Sequence, residues 1–351
     1  MYFNIHSGSC APAERDLPSL ATIFFTSSEI LWTGMPEDWR PSASLGTLRI
    51  RAEVLARVRA FFAGRSVLEV ETPMLCRGGL GEPHILALRT TLTDGRHRYL
   101  PPSPEPAMKR LLCIGSGPIY QIARVFRDGE KGRLHNPEFT LIEWYRPGFD
   151  HHALMDEVEA LVSALLGSEP FERICYGRAF EDALGIDPHT ADLEALAACA
   201  RGLGLVVAAE GLDRGAYLDF LLSHAVTPRL GHERPCFLFD FPEPQAAFAR
   251  VRAGSPPVSE RFELLVCGIE IANGCRELGD GAEQRRRLLR EEARRRALDL
   301  PTVPLDERFL AALENGMPDC AGCALGLDRL VMVATGAGTI QEVLAFPPDR
   351  A

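Results

Sequence analysis

Apolar residues recur at helical spacing from Leu48 to about Gly64. They are Leu48, Val54, Leu55, Val58, Phe61 and Phe62, and arginines at 49, 51, 57 and 59 occupy much of the remainder. The spacing predicts a helix that Gly64 ends. A short strand over Val67–Val70 follows and closes at Pro73. Met108–Leu112 reads as helix. Ile119–Phe126 and Phe139–Tyr145 read as strands joined by a turn rich in glycine and charge. Their alternation predicts an antiparallel pair. Amphipathic helices are expected over 153–166 and 192–203, and apolar strands over Cys236–Phe241 and Phe262–Ala272. A charged helix over 282–298 and another over 306–314 come next. A Gly-rich strand-to-helix passage, Gly322–Thr335, and a last helix near 339–344 complete the pattern. Strands neighbour strands with helices between them, which predicts an α+β fold rather than a doubly wound parallel sheet.

Residues 1–34 show neither period. Residues 1–44 are therefore expected to be an extension, either disordered or preceding a true start at Met35, ahead of one folded domain over 45–351. The chain of 351 residues has 38 basic and 48 acidic side chains, a net charge of −10. That balance argues against extensive contact with nucleic acid, which needs a basic face. No apolar run approaches the roughly 18 residues of a membrane span. The ten cysteines are scattered, as reduced thiols of a cytosolic protein would be.

Four segments carry candidate chemistry. In the first, a strand ends in Arg127, a polar loop (Asp128, Gly129, Glu130) follows, and His135-Asn136 precede Phe139 on the next strand. Arginine suits bidentate phosphate contact, and Phe139 offers a flat face to a purine. In the second, Gly322 to Arg329, small residues allow a close backbone approach around Gly326. Asp328 there suits a helix N-terminus. In the third, Glu270 sits in an apolar strand that strand period would share with Ala272, and Glu277 follows seven residues later. A carboxylate there needs a cation, a metal or a ligand amine. In the fourth, Ser103-Pro104-Glu105, the glutamate either caps the next helix or receives a substrate ammonium.

Together these segments resemble the class II aminoacyl-tRNA synthetases, and within them the lysyl branch. Arg127 with His135-Asn136-Pro137-Glu138-Phe139 looks like motif 2, Gly326-Leu327-Asp328-Arg329 like motif 3, and Glu270-Ile271-Ala272-Asn273-Gly274 like the Glu-Leu-Ala-Asn-Gly strand of lysyl enzymes. The resemblance covers about residues 40–351. A lysyl-tRNA synthetase carries an anticodon-reading OB barrel, which needs roughly 70 residues. Only 44 residues precede Leu45. The chain thus resembles the shortened bacterial ligases of this branch that join β-lysine to elongation factor P. Trp39-Arg40-Pro41-Ser42-Ala43-Ser44, Glu143-Trp144-Tyr145-Arg146-Pro147 and Asn315-Gly316-Met317-Pro318-Asp319-Cys320 resemble that group as well.

The resemblance implies a class II catalytic domain, an antiparallel sheet flanked by helices, that uses ATP and Mg²⁺. It implies a cytoplasmic homodimer built on the helix over 48–62, with no stable nucleic acid and no membrane. It places Arg127, Arg329 and Glu270 in catalysis: Arg127 on the α-phosphate, Arg329 on the γ-phosphate. Asp128, Gly129, His135, Asn136, Phe139, Ile271 and Gly326 join them around ATP, with Phe139 stacked on adenine. Ser103, Pro104, Glu105, Tyr145, Glu277 and Ala324 hold the amino acid, and Glu270 and Glu277 hold Mg²⁺. Ala324 stands where lysyl enzymes usually have Gly, and its methyl fits a β-amino acid. The family usually has Glu two residues after the motif 2 arginine; here Gly129 stands there and Glu130 follows. The alternatives are a free-standing enzyme using α-lysine with tRNA or another acceptor, and a non-catalytic paralogue that binds ATP or an amino acid. Ten Arg or Glu residues between 283 and 296 are expected to form a solvated helix with pairs such as Arg287–Glu291, or a docking face for an acidic protein. His151-His152 is expected at the surface.

Overall fold

The computed structural model describes residues 39–79, 85–168, 170–204 and 212–351. The expectations for residues 1–34 lie outside them. Helix α1 (Leu45–Ala63) starts at Ser44, whose hydroxyl accepts from the Thr47 amide, and buries Val54, Val58 and Phe62. Strand β1 (Leu68–Glu69), the hairpin β2 (Leu88–Thr91) with β3 (His97–Leu100), and helix α2 (Glu105–Cys113) follow. Strands β4 (Ile119–Phe126) and β5 (Glu138–Pro147) pair antiparallel from Ile119↔Tyr145 to Phe126↔Glu138, as the alternation predicts. Helix α3 (His151–Leu166) is capped by Asp150.

The chain then folds as β6 (Glu172–Cys175), α4 (Tyr176–Leu184), α5 (Leu193–Gly202), the helix expected over 192–203, and α6 (Arg214–Leu221). A π-helical turn, Leu222–Val226, leads towards β7 (Cys236–Pro242). After these come β8 (Val251–Arg252), β9 (Val258–Val266), β10 (Ile269–Arg276), α7 (Gly281–Ala297), α8 (Glu307–Glu314), β11 (Cys320–Gly326) and α9 (Leu327–Thr335). The helix expected near 339–344 is a 3₁₀ turn, Ile340–Val343, and a second such turn, Pro348–Arg350, follows it.

The main sheet runs β1-β4-β5-β11-β10-β9-β7-β6, with β8 on β9. Its centre is antiparallel, and its two outer pairs, β1 with β4 and β6 with β7, are parallel. The sequence pattern misses those parallel edges. The single strand expected over Phe262–Ala272 is instead a hairpin. Cys267 and Gly268 turn it with φ of 51° and 71°, the paired positive φ of a tight two-residue turn. A bulge between Glu270 and Ala272 then shifts the register, so Ile271 and Ala272 are both buried and Glu270 and Ala272 do not share a face.

One face of the central strands carries the core. Phe62, Tyr120, Trp144, Leu161, Phe262 and Leu330 pack there with α1, α3 and α9. Strand alternation along β5 sends Ile142 and Trp144 into it and leaves Leu141, Glu143 and Tyr145 on the other face. A second cluster, including Tyr176, Phe180, Leu218 and Phe241, joins α4 and α6 to β7. His151, expected at the surface, is buried, with Nε2 3.5 Å from Asp240 Oδ1. Arg287 pairs with Glu283 at 3.0 Å and not with Glu291.

Candidate active site

The second face of the sheet opens into a cavity of about 780 Å³. It receives side chains from α2, from β5, β10 and β11, and from α7. Its size suits a nucleotide with an attached amino acid.

At one end stand the two arginines. Arg127 follows β4, where its amide donates to the Pro137 carbonyl at 2.9 Å. Its guanidinium lies 5.0 Å from the Phe139 ring centre and 3.6 Å from Glu130. Its Nε is buried without a partner, so a donor is free for a ligand. Arg329, in the first turn of α9, donates from Nη1 to the Glu270 carbonyl at 2.9 Å and meets His135 Nε2 from Nη2 at 2.9 Å. Burial, reinforced by Arg329, lowers the His135 pKa and keeps that ring neutral. Asn136 is buried and lines the cavity while donating to the Glu138 carbonyl. Gly326 passes the Ile271 carbonyl, and a Cβ there would sit 3.7 Å from it.

Asp128 and Gly129 do not line the cavity. The Asp128 amide instead donates to the Leu86 carbonyl at 2.7 Å. Gly129 takes φ 76°, which only glycine adopts freely, and this turns the next residue, Glu130, back into the cavity. The one-residue offset in the motif is thus absorbed by the loop.

Glu270 and Glu277 are not brought together. They stand at opposite ends of β10, roughly 20 Å apart at the rise of a strand. Glu270 is joined instead by Glu263 of β9, a residue the sequence reading passed over. Asn273 Nδ2 donates to both carboxylates at 3.4 Å, and Arg261 Nη2 lies 2.6 Å from Glu263. Burial, then the Glu270 charge, pushes the Glu263 pKa up to about 7. Two carboxylates that share one amide fit a hard divalent cation, which Mg²⁺ sites complete with phosphate oxygens. Among the described residues no group of three or more His, Cys, Asp and Glu is placed for a metal. This pair fits Mg²⁺ with phosphate as co-ligand.

At the other end lies a box of carboxylates. Ser103 donates to Glu143 Oε2 at 2.8 Å, and the Tyr145 hydroxyl donates to Glu143 Oε1 at 2.8 Å. Glu105, in the first turn of α2, and Glu277 flank the buried Lys109 at 2.5 and 2.6 Å. Burial, then the Glu105 charge, lifts the Glu143 pKa to about 8. Burial also lifts Glu277 to about 7, with Lys109 opposing and Glu105 adding. Ala324 lies beside Glu143 in the β5–β11 register. Gly322 leaves the space that Glu277 and the Tyr145 ring occupy. Pro104 does not line the cavity and serves as the first residue before α2. Glu143 and Lys109 were not among the expected site residues. A glutamate inside the apolar run Leu141-Ile142-Glu143-Trp144 is the same signal that singled out Glu270.

The architecture and the two-ended cavity define an adenylate-forming enzyme of the synthetase type. The sequence profile of the class II tRNA synthetases (D, K and N) matches residues 37–350, and the chain belongs to that family. Within it, the chain is 47% identical over 320 residues to the elongation factor P–(R)-β-lysine ligase of Proteus mirabilis (strain HI4320), covering 90% of this chain and 98% of that protein. It is 46% identical over 319 residues to the ligase of the same name from Edwardsiella ictaluri (strain 93-146), covering 89% and 98%. The corresponding protein of Vibrio cholerae serotype O1 is 45% identical over 320 residues, 90% and 99% of the two chains.

Proposed function

We propose that this chain is an ATP-dependent ligase that activates (R)-β-lysine as its adenylate and transfers it to a lysine ε-amine of elongation factor P. The observation that carries the reading is the pairing, in one cavity, of two arginines at one end with three carboxylates at the other, Glu143 and Glu277 buried and Glu105 partly so. A substrate with two ammonium groups and a carboxylate spans the two. The near full-length likeness to ligases of that name supports the acceptor. The same likeness supports a cytoplasmic homodimer. Among the described residues no helix is long and apolar enough to cross a membrane.

In the first step the amino-acid carboxylate attacks the α-phosphorus of ATP and the bond to the β-phosphate oxygen breaks, releasing pyrophosphate. Charge builds on the phosphate oxygens, so positioned cations supply most of the rate. Arg127 sits at the α-phosphate and Arg329, steadied by neutral His135, at the γ-phosphate. Phe139 stacks on adenine, with Asn136 and Glu130 at the base. Glu263 and Glu270 would hold Mg²⁺, which neutralises phosphate charge when bound. Glu105, Glu143 and Glu277 take the two ammonium groups and hold the carboxylate in line. In the second step the acceptor ε-amine attacks the acyl carbon, AMP leaves, and the amine loses a proton. No side-chain nucleophile is needed.

The test is ATP–pyrophosphate exchange with (R)-β-lysine and with α-lysine, run side by side before any acceptor is added. Exchange favouring β-lysine is expected. A preference for α-lysine returns the alternative, an enzyme charging tRNA or another acceptor, and no exchange with either removes the ligase reading.

A further inference from the structure

A charged group behind the carboxylate box does not itself line the cavity and has no part in either step. Lys109, on the second turn of α2, is fully buried. Its Nζ lies 2.5 Å from Glu105 Oε1, 2.6 Å from Glu277 Oε2 and 5.4 Å from the Phe248 ring centre. An ammonium in so dry a place is costly unless paired. Burial alone would lower its pKa, but Glu105 and Glu277 outweigh burial and hold it well above the usual value. The groups facing it are Glu105 and Cys113 on α2, Glu143 on β5, Cys275 and Glu277 at the end of β10, and Cys320 on β11. Burial raises all three thiols and keeps them neutral. The charge of the box is therefore set by three carboxylates and one ammonium. With all of them ionised it is −2.

We infer that Lys109 is the specificity-determining counter-charge of the amino-acid pocket: it holds Glu105 and Glu277 side by side as carboxylates and leaves two negative charges for a substrate with two ammonium groups to neutralise. An amino acid with a single ammonium leaves a carboxylate uncompensated in a water-poor site and is rejected on that account. Lys109 touches no reacting atom; it acts through Glu105 and Glu277. The inference rests on the diamino-acid reading above.

Lys109→Met keeps the length and removes the charge. Without the ammonium, Glu277 takes up a proton more readily, so the box ionises only at higher pH. In pyrophosphate exchange the KM for β-lysine is expected to rise about tenfold near pH 7, and the alkaline rise of kcat/KM to move up by about one pH unit. The KM for ATP stays within about twofold of the parent value. An unmoved pH profile overturns the inference, as does a parallel rise of both KM values at every pH, which marks a packing role. Should the methionine variant not fold, Lys109→Arg decides: the charge is kept, so the parent pH profile with weaker binding is expected, and a profile shifted upward overturns the inference. Absence of exchange in the parent protein with either lysine instead removes the ligase reading, a separate failure.

Discussion

In the proposed function Glu263 is the carboxylate that, with Glu270, would hold a cation beside the phosphate end of the cavity. It shares the Asn273 amide with Glu270 and is balanced in the free protein by Arg261. Glu263→Gln keeps the shape and removes the charge. We expect the Mg²⁺ concentration for half-maximal exchange to rise about tenfold, with the β-lysine KM little changed; an unaltered Mg²⁺ requirement assigns Glu263 to structure alone. At the amino-acid end, Glu143 and Glu277 are raised to about 8 and 7 by burial. A carboxyl whose folded pKa exceeds its unfolded value binds more protons when folded, so stability falls as pH rises between the two values. Lys109 adds no slope there, since its raised pKa matters only near and above the ordinary lysine value. The ligand-free protein is therefore expected to melt at a lower temperature near pH 8 than at about pH 5.5, and Glu143→Gln to remove much of that fall. Thermal melts in matched buffers read this directly, and a flat profile in the parent protein refutes the buried-carboxyl account. Gly322→Ala is expected to raise the β-lysine KM at least about tenfold, because the new methyl displaces Glu277 and Tyr145; unchanged exchange kinetics show that the box yields.

Elements rather than single residues hold the two arginines in place. Asp328, buried at the start of α9, accepts from Arg51 of α1 at 2.5 Å and from the Thr140 amide of β5 at 2.7 Å. One carboxylate thus ties α1, β5 and α9 together directly beneath Arg329. Asp328→Ala leaves the half-buried Arg51 unpaired and is expected to cost about 3–5 kcal/mol, read as a lower urea midpoint with an unchanged slope. A loss below about 1 kcal/mol makes the contact no better than a surface pair. The same elements show what a sequence reader can and cannot see. β5 was legible because Ile142 and Trp144 face the core while Glu143 faces the cavity, and β4 because Ile119–Phe126 is a short run rich in β-branched and aromatic residues. Arg127 and Arg329 were legible because they sit at a strand end and a helix start close to glycines, and Phe139 because it opens a strand just after Pro137. The β9–β10 turn was not, since Cys267 stands where Asn or Asp usually precedes the turn glycine, and Leu264-Leu265-Val266 and Ile269 carry the apolar run across it. That missed turn hid the pairing of Glu263 with Glu270: only folding back β9 on β10 sets Glu263 opposite Asn273. Pairings across strands are set by register, which composition along one strand does not contain.

For the whole molecule, the lock on Asp328 couples the site to the outer surface of α1. Val54, Val58 and Phe62 of that helix face the core. On α1 and the segment after it, Leu45, Leu68, Met74 and Leu75 are all at least half exposed. Large apolar side chains left in water along one part of a chain mark a surface that another protein covers, and a subunit interface on this helix is what the resemblance to the synthetase class implies. A homodimer is therefore expected, burying on the order of 1,200 Å² or more. Sedimentation at micromolar concentration should give twice the chain mass. Charging the surface with Leu68→Glu and Met74→Glu together should yield monomers, because desolvating two carboxylates costs more than the apolar contact returns. Since α1 also carries Arg51, loss of the partner loosens the helix that braces Asp328, and exchange activity should fall with the dimer fraction as the protein is diluted. A chain that sediments as a monomer yet exchanges at full rate overturns both the interface and the coupling. A stable dimer unaffected by the two glutamates moves the interface elsewhere and leaves the brace to be judged by Arg51→Ala alone. That variant should lower thermal stability and exchange rate together, while the KM for β-lysine stays near the parent value because Glu105 and Glu277 of the carboxylate box stand on α2 and just after β10.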